Sequence, residues 1–168
     1  MDLNQIVSGA VNGAGLVFIA IAIPRFTRHI LAAGLVVAAL VYLWFALAAH
    51  TGIVWVTVEL SGAGIFGYTA VRGLRGSAWW LVAGWTLHPI WDVALHLVGP
   101  GRSFAPEWYA TWCSTYDVMV AAVAAIAILI GTHLTDAPAR TSTPTVVSPL
   151  RPSPCTCDAC TCVGASAA

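Results

Sequence analysis

Side chains able to hold a metal or move a proton stand inside apolar stretches of this chain: Glu59, His88, Asp92, His96, Cys113 and Asp117. Imidazole and carboxylate together offer the nitrogen and oxygen donors that zinc or iron takes. An open position on such an ion activates water for hydrolysis, or binds oxygen if the metal is redox-active. His88, Asp92 and His96 are spaced i, i+4, i+8, so they form one slowly turning stripe on a helix. Two imidazoles about 12 Å apart along a straight axis do not reach one ion. His88 or His96 with Asp92 is the easier pair, and Asp117 or Glu59 supplies further oxygen. Pro89 bears on this geometry: it removes a helical hydrogen bond, crowds the carbonyl of Trp85 and kinks the helix beside His88.

These residues admit three readings. In the first, His88, Asp92, His96 and Asp117 ligate a metal, and Glu59, Asp92 and Asp117 carry acid–base work on a lipidic or small apolar substrate. In the second, the acids fix imidazole tautomers and tie helices together as a structural network. In the third, the same chain of acids and imidazoles passes protons or ions. Cys113 is read as a small apolar packing residue, with a role beside Asp92 as the alternative.

The elements that must position these groups are written in the composition. Charged residues make up 8% of the 168 residues, hydrophobic residues 59%, and the mean hydropathy is +0.84, against roughly 25% charged in soluble domains. The bilayer is therefore the expected solvent and partner. With zero net charge and no lysine, no basic surface exists to track a nucleic-acid backbone. Apolar runs over 6–23, 29–49, 51–71, 78–99 and 108–131 predict an all-α integral membrane bundle of five transmembrane helices within residues 1–133.

Orientation follows from arginine placement, because basic residues stay in the cytoplasm. Arg25, Arg28, Arg72, Arg75, Arg140 and Arg151 fall on one side and Arg102 on the other. That predicts a multi-pass cell-membrane protein with its N-terminus outside and its C-terminus in the cytoplasm. At 1.5 Å per residue, Glu59 and Asp92 lie about 10 Å below the outer surface, Asp117 about 14 Å and His88 about 16 Å. Each acid at mid-bilayer costs about 2.5–3.5 kcal/mol, so acids at one depth imply pairing or use. Small residues at Gly9 and Gly13, and at Ala63 and Gly67, predict close helix packing within the chain.

From residue 134 the sequence turns to Ala, Thr, Ser and Pro, which predicts a disordered tail over 134–168. It ends in Cys155, Cys157, Cys160 and Cys162, a C-x-C-x-x-C-x-C array able to wrap a soft ion such as Zn²⁺ or Cu⁺. The alternative is a low-complexity tail without a role.

Between Trp55 and Asp117 the chain resembles a family of small bacterial multi-pass membrane proteins of unassigned function. The resemblance rests on Trp55-x-x-x-Glu59, Tyr68 with Arg72-Gly-Leu-Arg75, Gly84-Trp85-x-x-His88-x-x-Trp91-Asp92-x-x-x-His96 and Cys113-x-x-x-Asp117. It implies a compact helical membrane protein and no particular activity. Where that family often carries a second histidine, this chain has Leu95, which removes an adjacent imidazole pair.

Overall fold

A computed structural model of the protein describes residues 2–131. Every regular element in them is helical. The cysteine array Cys155, Cys157, Cys160 and Cys162, like the rest of the expected tail, lies outside the described residues.

Helix α1 (Leu3–Ala22) starts where the Asp2 carboxylate accepts from the Asn4 backbone N–H at 3.0 Å, a side-chain cap for an otherwise orphaned donor. It ends at Pro24, which opens a short 3₁₀ turn (Pro24–Phe26) before α2 (Thr27–Ala48). The Thr27 hydroxyl donates back to the Ala20 carbonyl at 2.8 Å, tying the end of α1 to the start of α2. A tight turn with positive φ at His50 and Gly52 reverses the chain into α3 (Ile53–Arg75). Only glycine takes such a backbone without strain, and a residue such as His50 does so at a cost. Helix α4 (Trp79–Trp91) runs on as a π-helical turn over Asp92–Leu97. A 3₁₀ turn (Pro100–Ser103) then leads to α5 (Glu107–Leu129).

The helices pack in chain order, and α5 closes the ring onto α1; α2 also reaches across to α4. Val17, Leu31, Leu35, Phe66, Leu81, Trp85 and Val120 fill the core, and the Trp85 indole N–H donates to the Leu31 carbonyl at 3.2 Å. At the Arg28 end, the guanidinium donates to the carbonyls of Gly76 (2.7 Å) and Gly73 (3.4 Å). It thereby satisfies backbone acceptors that the end of α3 leaves open.

Apolar residues also cover the outside: Phe18, Trp44, Leu60, Ile90, Val118 and Leu129 are all more than half exposed. A continuous apolar exterior suits hydrocarbon rather than water. Four helical segments are long and apolar enough to cross a membrane, namely α1, Pro24–Ala48, α3 and α5. The expected fifth crossing differs in kind. Its α-helical part stops at Trp91, two residues after Pro89, whose missing N–H removes the bond back to the Trp85 carbonyl. The remainder winds as a π turn in which the Val98 N–H reaches the Val93 carbonyl at 2.9 Å.

Of the two small-residue pairs, Gly9 and Gly13 press α1 onto α5, where an added Cβ would collide with the carbonyls of Trp112 and Tyr116 respectively. Gly67 has nothing near the position of a Cβ, so the second pair does not form such a contact among the described residues.

Candidate functional site

The ionisable residues gather toward the His50 end of the bundle, carried there by α3, α4 with its π turn, and α5. Asp92 closes the α-helical part of α4 one turn after His88, and Cys113 and Asp117 are one turn apart on α5. All four are buried, with exposures of 0–1%. His88 Nδ1 is hydrogen-bonded to Asp117 Oδ2 at 2.8 Å and lies 3.4 Å from Asp92 Oδ1. The Cys113 thiol reaches Asp117 Oδ2 at 3.7 Å. One ligand-type atom from each of His88, Asp92, Cys113 and Asp117 falls within 4.8 Å of all the others.

The second group is a pair. His96 Nε2 stands 3.6 Å from Glu59 Oε1, both side chains buried. The Tyr42 ring stacks on the His96 ring at 4.0 Å with 7° between planes, and lies 6.1 Å from His88, so one aromatic plate of α2 borders both groups. Glu59, His88 and Tyr42 together line a narrow crevice that Phe66 and Trp91 also wall.

The set expected from spacing therefore divides. His88, Asp92 and Asp117 come together; His96 joins Glu59 instead. The π turn explains the division, since a wider turn shifts everything after Asp92 out of the phase of a straight α-helix. Two residues enter that the expected site lacked. Cys113 brings its sulfur into the carboxylate group rather than only filling space, and its i, i+4 relation to Asp117 was the available signal. Tyr42 gave none: it is a lone aromatic phenol in a long apolar helix.

The electrostatics are unusual for an apolar interior. Asp92 Oδ1 and Oδ2, Asp117 Oδ1, His88 Nε2, both ring nitrogens of His96, Glu59 Oε1 and the Tyr42 hydroxyl have no hydrogen-bond partner among the described residues. Leaving a buried polar group unsatisfied costs about 1–3 kcal/mol, and more for a charge. A structural network would close such groups on one another. These instead are left without partners inside the bundle.

Residues 4–132 match the model of a family described as "Family of unknown function (DUF6010)", and the chain belongs to that family. The match reaches well beyond the 55–117 stretch and agrees with the expected membership of a family without an assigned role. No curated protein and no solved structure matches the chain.

Proposed function

We propose that this member of the DUF6010 family is a five-span membrane protein with an intramembrane zinc-type metal centre that activates water against an amphiphilic substrate. The observation that carries the reading is the convergence of four buried donor residues to within 4.8 Å. Donors around a tetrahedral zinc stand about 3.3–3.8 Å apart, given bond lengths near 2.0–2.3 Å. To hold the ion, the 2.8 Å His88–Asp117 contact would open by about 0.5 Å and the wider separations would close. The ion would take the place of the proton between His88 Nδ1 and Asp117 Oδ2. It would also compensate two buried acids whose oxygens are otherwise largely unpartnered.

His88, Asp92 and Asp117 hold the ion in this reading. Zinc bound by three protein groups keeps one position for water and lowers its pKa to about 7. Cys113, as a thiol, donates to Asp117 Oδ2 and orients that ligand. Glu59, backed by His96 at 3.6 Å and facing the same crevice as His88, receives and returns the proton. A mixed nitrogen and oxygen site with sulfur close by favours zinc or iron over magnesium or calcium.

The deciding measurement is metal content in full-length protein whose tail cysteines Cys155, Cys157, Cys160 and Cys162 are replaced by serine. One zinc per chain is expected, lost in Asp92→Asn and Asp117→Asn and kept in Glu59→Gln. Absence of stoichiometric metal in the parent protein removes the proposal. Cobalt substitution then tests Cys113: a thiolate-to-cobalt charge-transfer band would make it a fourth ligand and the site a closed, structural one.

A proton relay is the second reading, favoured by the His96–Glu59 pair lying beside the His88 group. Proton flux in liposomes that survives Asp92→Asn unchanged would exclude it.

A further inference from the structure

Between α3 and α4, on the outside of the bundle, runs a groove of about 520 Å³, within the range of about 300–1,000 Å³ typical of small-molecule sites. Val58 and Ile65 of α3 and Leu87, Ile90, Ala94 and Leu95 of α4 line it, and no charged or hydrogen-bonding side chain is among them. Ile65, Leu87 and Ile90 are 46–59% exposed, so the groove is continuous with the apolar exterior that faces lipid.

Its inner wall is made by Phe66 and Trp91. The same two residues wall the crevice that holds Glu59, His88 and Tyr42. One thin partition of aromatic rings therefore separates hydrocarbon from the polar site, and the two rings meet edge to face at 6.1 Å. The Trp91 indole is seated on a glycine: a Cβ at Gly62 would stand 2.8 and 2.9 Å from its Cζ2 and Cε2 atoms. Trp91 is only partly buried.

From this juxtaposition we infer that the groove docks the hydrocarbon chain of a single-chain amphiphile, a fatty-acyl ester or amide or the fatty acid its hydrolysis releases, drawn sideways from the bilayer. Trp91 is the door through which the polar end of that molecule reaches His88 and Glu59. The inference rests on the metal-centre reading for its chemistry and gives that site its substrate class and entry route. Complementarity carries it. The path is wholly apolar outside and ends on unpartnered polar atoms inside, Glu59 Oε1, His88 Nε2 and the Tyr42 hydroxyl, the same order of polarity as along an amphiphile. At the His50 end, Phe45, Phe104 and Tyr109 pack over Tyr42 and Cys113.

The test uses full-length protein in phosphatidylcholine vesicles with a long-chain fatty acid bearing a mid-chain diazirine, photolysed and mapped by mass spectrometry. Labels should concentrate on 58–66 and 87–95. Ala94→Trp, an exposed position whose new side chain fills the groove without touching the core, should lower that labelling by at least about fivefold. The same change at exposed Val37 should leave it unaltered. Trp91→Ala should extend labelling by a carboxyl-proximal diazirine probe to Ala39 and Tyr42 of α2, which line the crevice and not the groove. Zinc bound at one per chain together with labels spread evenly over all outward helix faces overturns the inference and spares the metal reading. Groove labelling that Ala94→Trp removes, in protein that binds no zinc, upholds chain docking and overturns the metal reading.

Discussion

Replacing Gly9 and Gly13 by alanine should weaken the candidate site without touching a residue in it. Helix α1 meets α5 through these glycines, whose missing side chains let the carbonyls of Trp112 and Tyr116 come closer than any Cβ permits. Those carbonyls belong to the residues immediately before Cys113 and Asp117, so α1 braces the stretch of α5 that carries them. An alanine at either position must push the helices apart by about 1 Å to reach ordinary contact distance. Overpacking of this size costs about 1–3 kcal/mol per position, or roughly a 5- to 150-fold fall in the folded-to-unfolded ratio. The two sites are one turn apart and relieved by the same displacement, so the double variant should cost less than the sum. Unfolding by titrated SDS in detergent micelles, followed by circular dichroism, reads the stability. Zinc retention during dialysis, in protein that remains folded, reads the effect on Cys113 and Asp117. Unfolding of Gly9→Ala/Gly13→Ala at the parent's SDS fraction would refute this, because then the close approach of α1 to α5 is not under constraint.

Further outcomes are expected elsewhere. Arg28→Met should lower stability by about 1.5–3 kcal/mol, the worth of charge-assisted bonds, since the Gly76 and Gly73 carbonyls lose their donor; thermal unfolding in detergent measures it. Trp85→Phe opens space in the core and removes the indole bond to the Leu31 carbonyl, so a loss of about 1–3 kcal/mol is expected in the same assay. Glu59→Gln should keep the metal of the parent protein while abolishing turnover of any hydrolysed amphiphile; loss of metal would make Glu59 a ligand. A reporter fused after residue 168 should be found in the cytoplasm, and its appearance outside would reverse the orientation drawn from arginine placement.

Much of this architecture is readable from residue order, and the places where it is not are physical ones. Long apolar runs bounded by polar or helix-breaking residues locate the helices to within a few positions, because hydrocarbon demands that each backbone segment satisfy itself. Equal depth brought Glu59, His88, Asp92 and Asp117 to one level of the bundle. Depth along an axis says nothing about rotation around it, however. Pro89 announced a disturbance in α4, but the sequence contains no mark that the wider turn begins at Asp92 and swings His96 toward Glu59. Cys113 was visible by its spacing to Asp117, yet a lone buried cysteine is usually a packing residue. Tyr42 could not be found at all, because its stacking on His96 depends on how α2 leans across the ring of helices.

The π turn over Asp92–Leu97 also changes how motifs in this family should be aligned. A π turn houses one residue more than an α turn in the same rise, the footprint of a single insertion accommodated without breaking the helix. Gly84 through Asp92 is thus one structural word and His96 the beginning of another. A relative that is one residue shorter here would wind as a plain α-helix and keep its downstream histidine near the glutamate on the facing helix, whereas one of equal length without the π turn would turn that histidine away by roughly 70°. Gap placement in this hexapeptide therefore decides which histidine of a relative corresponds to His96.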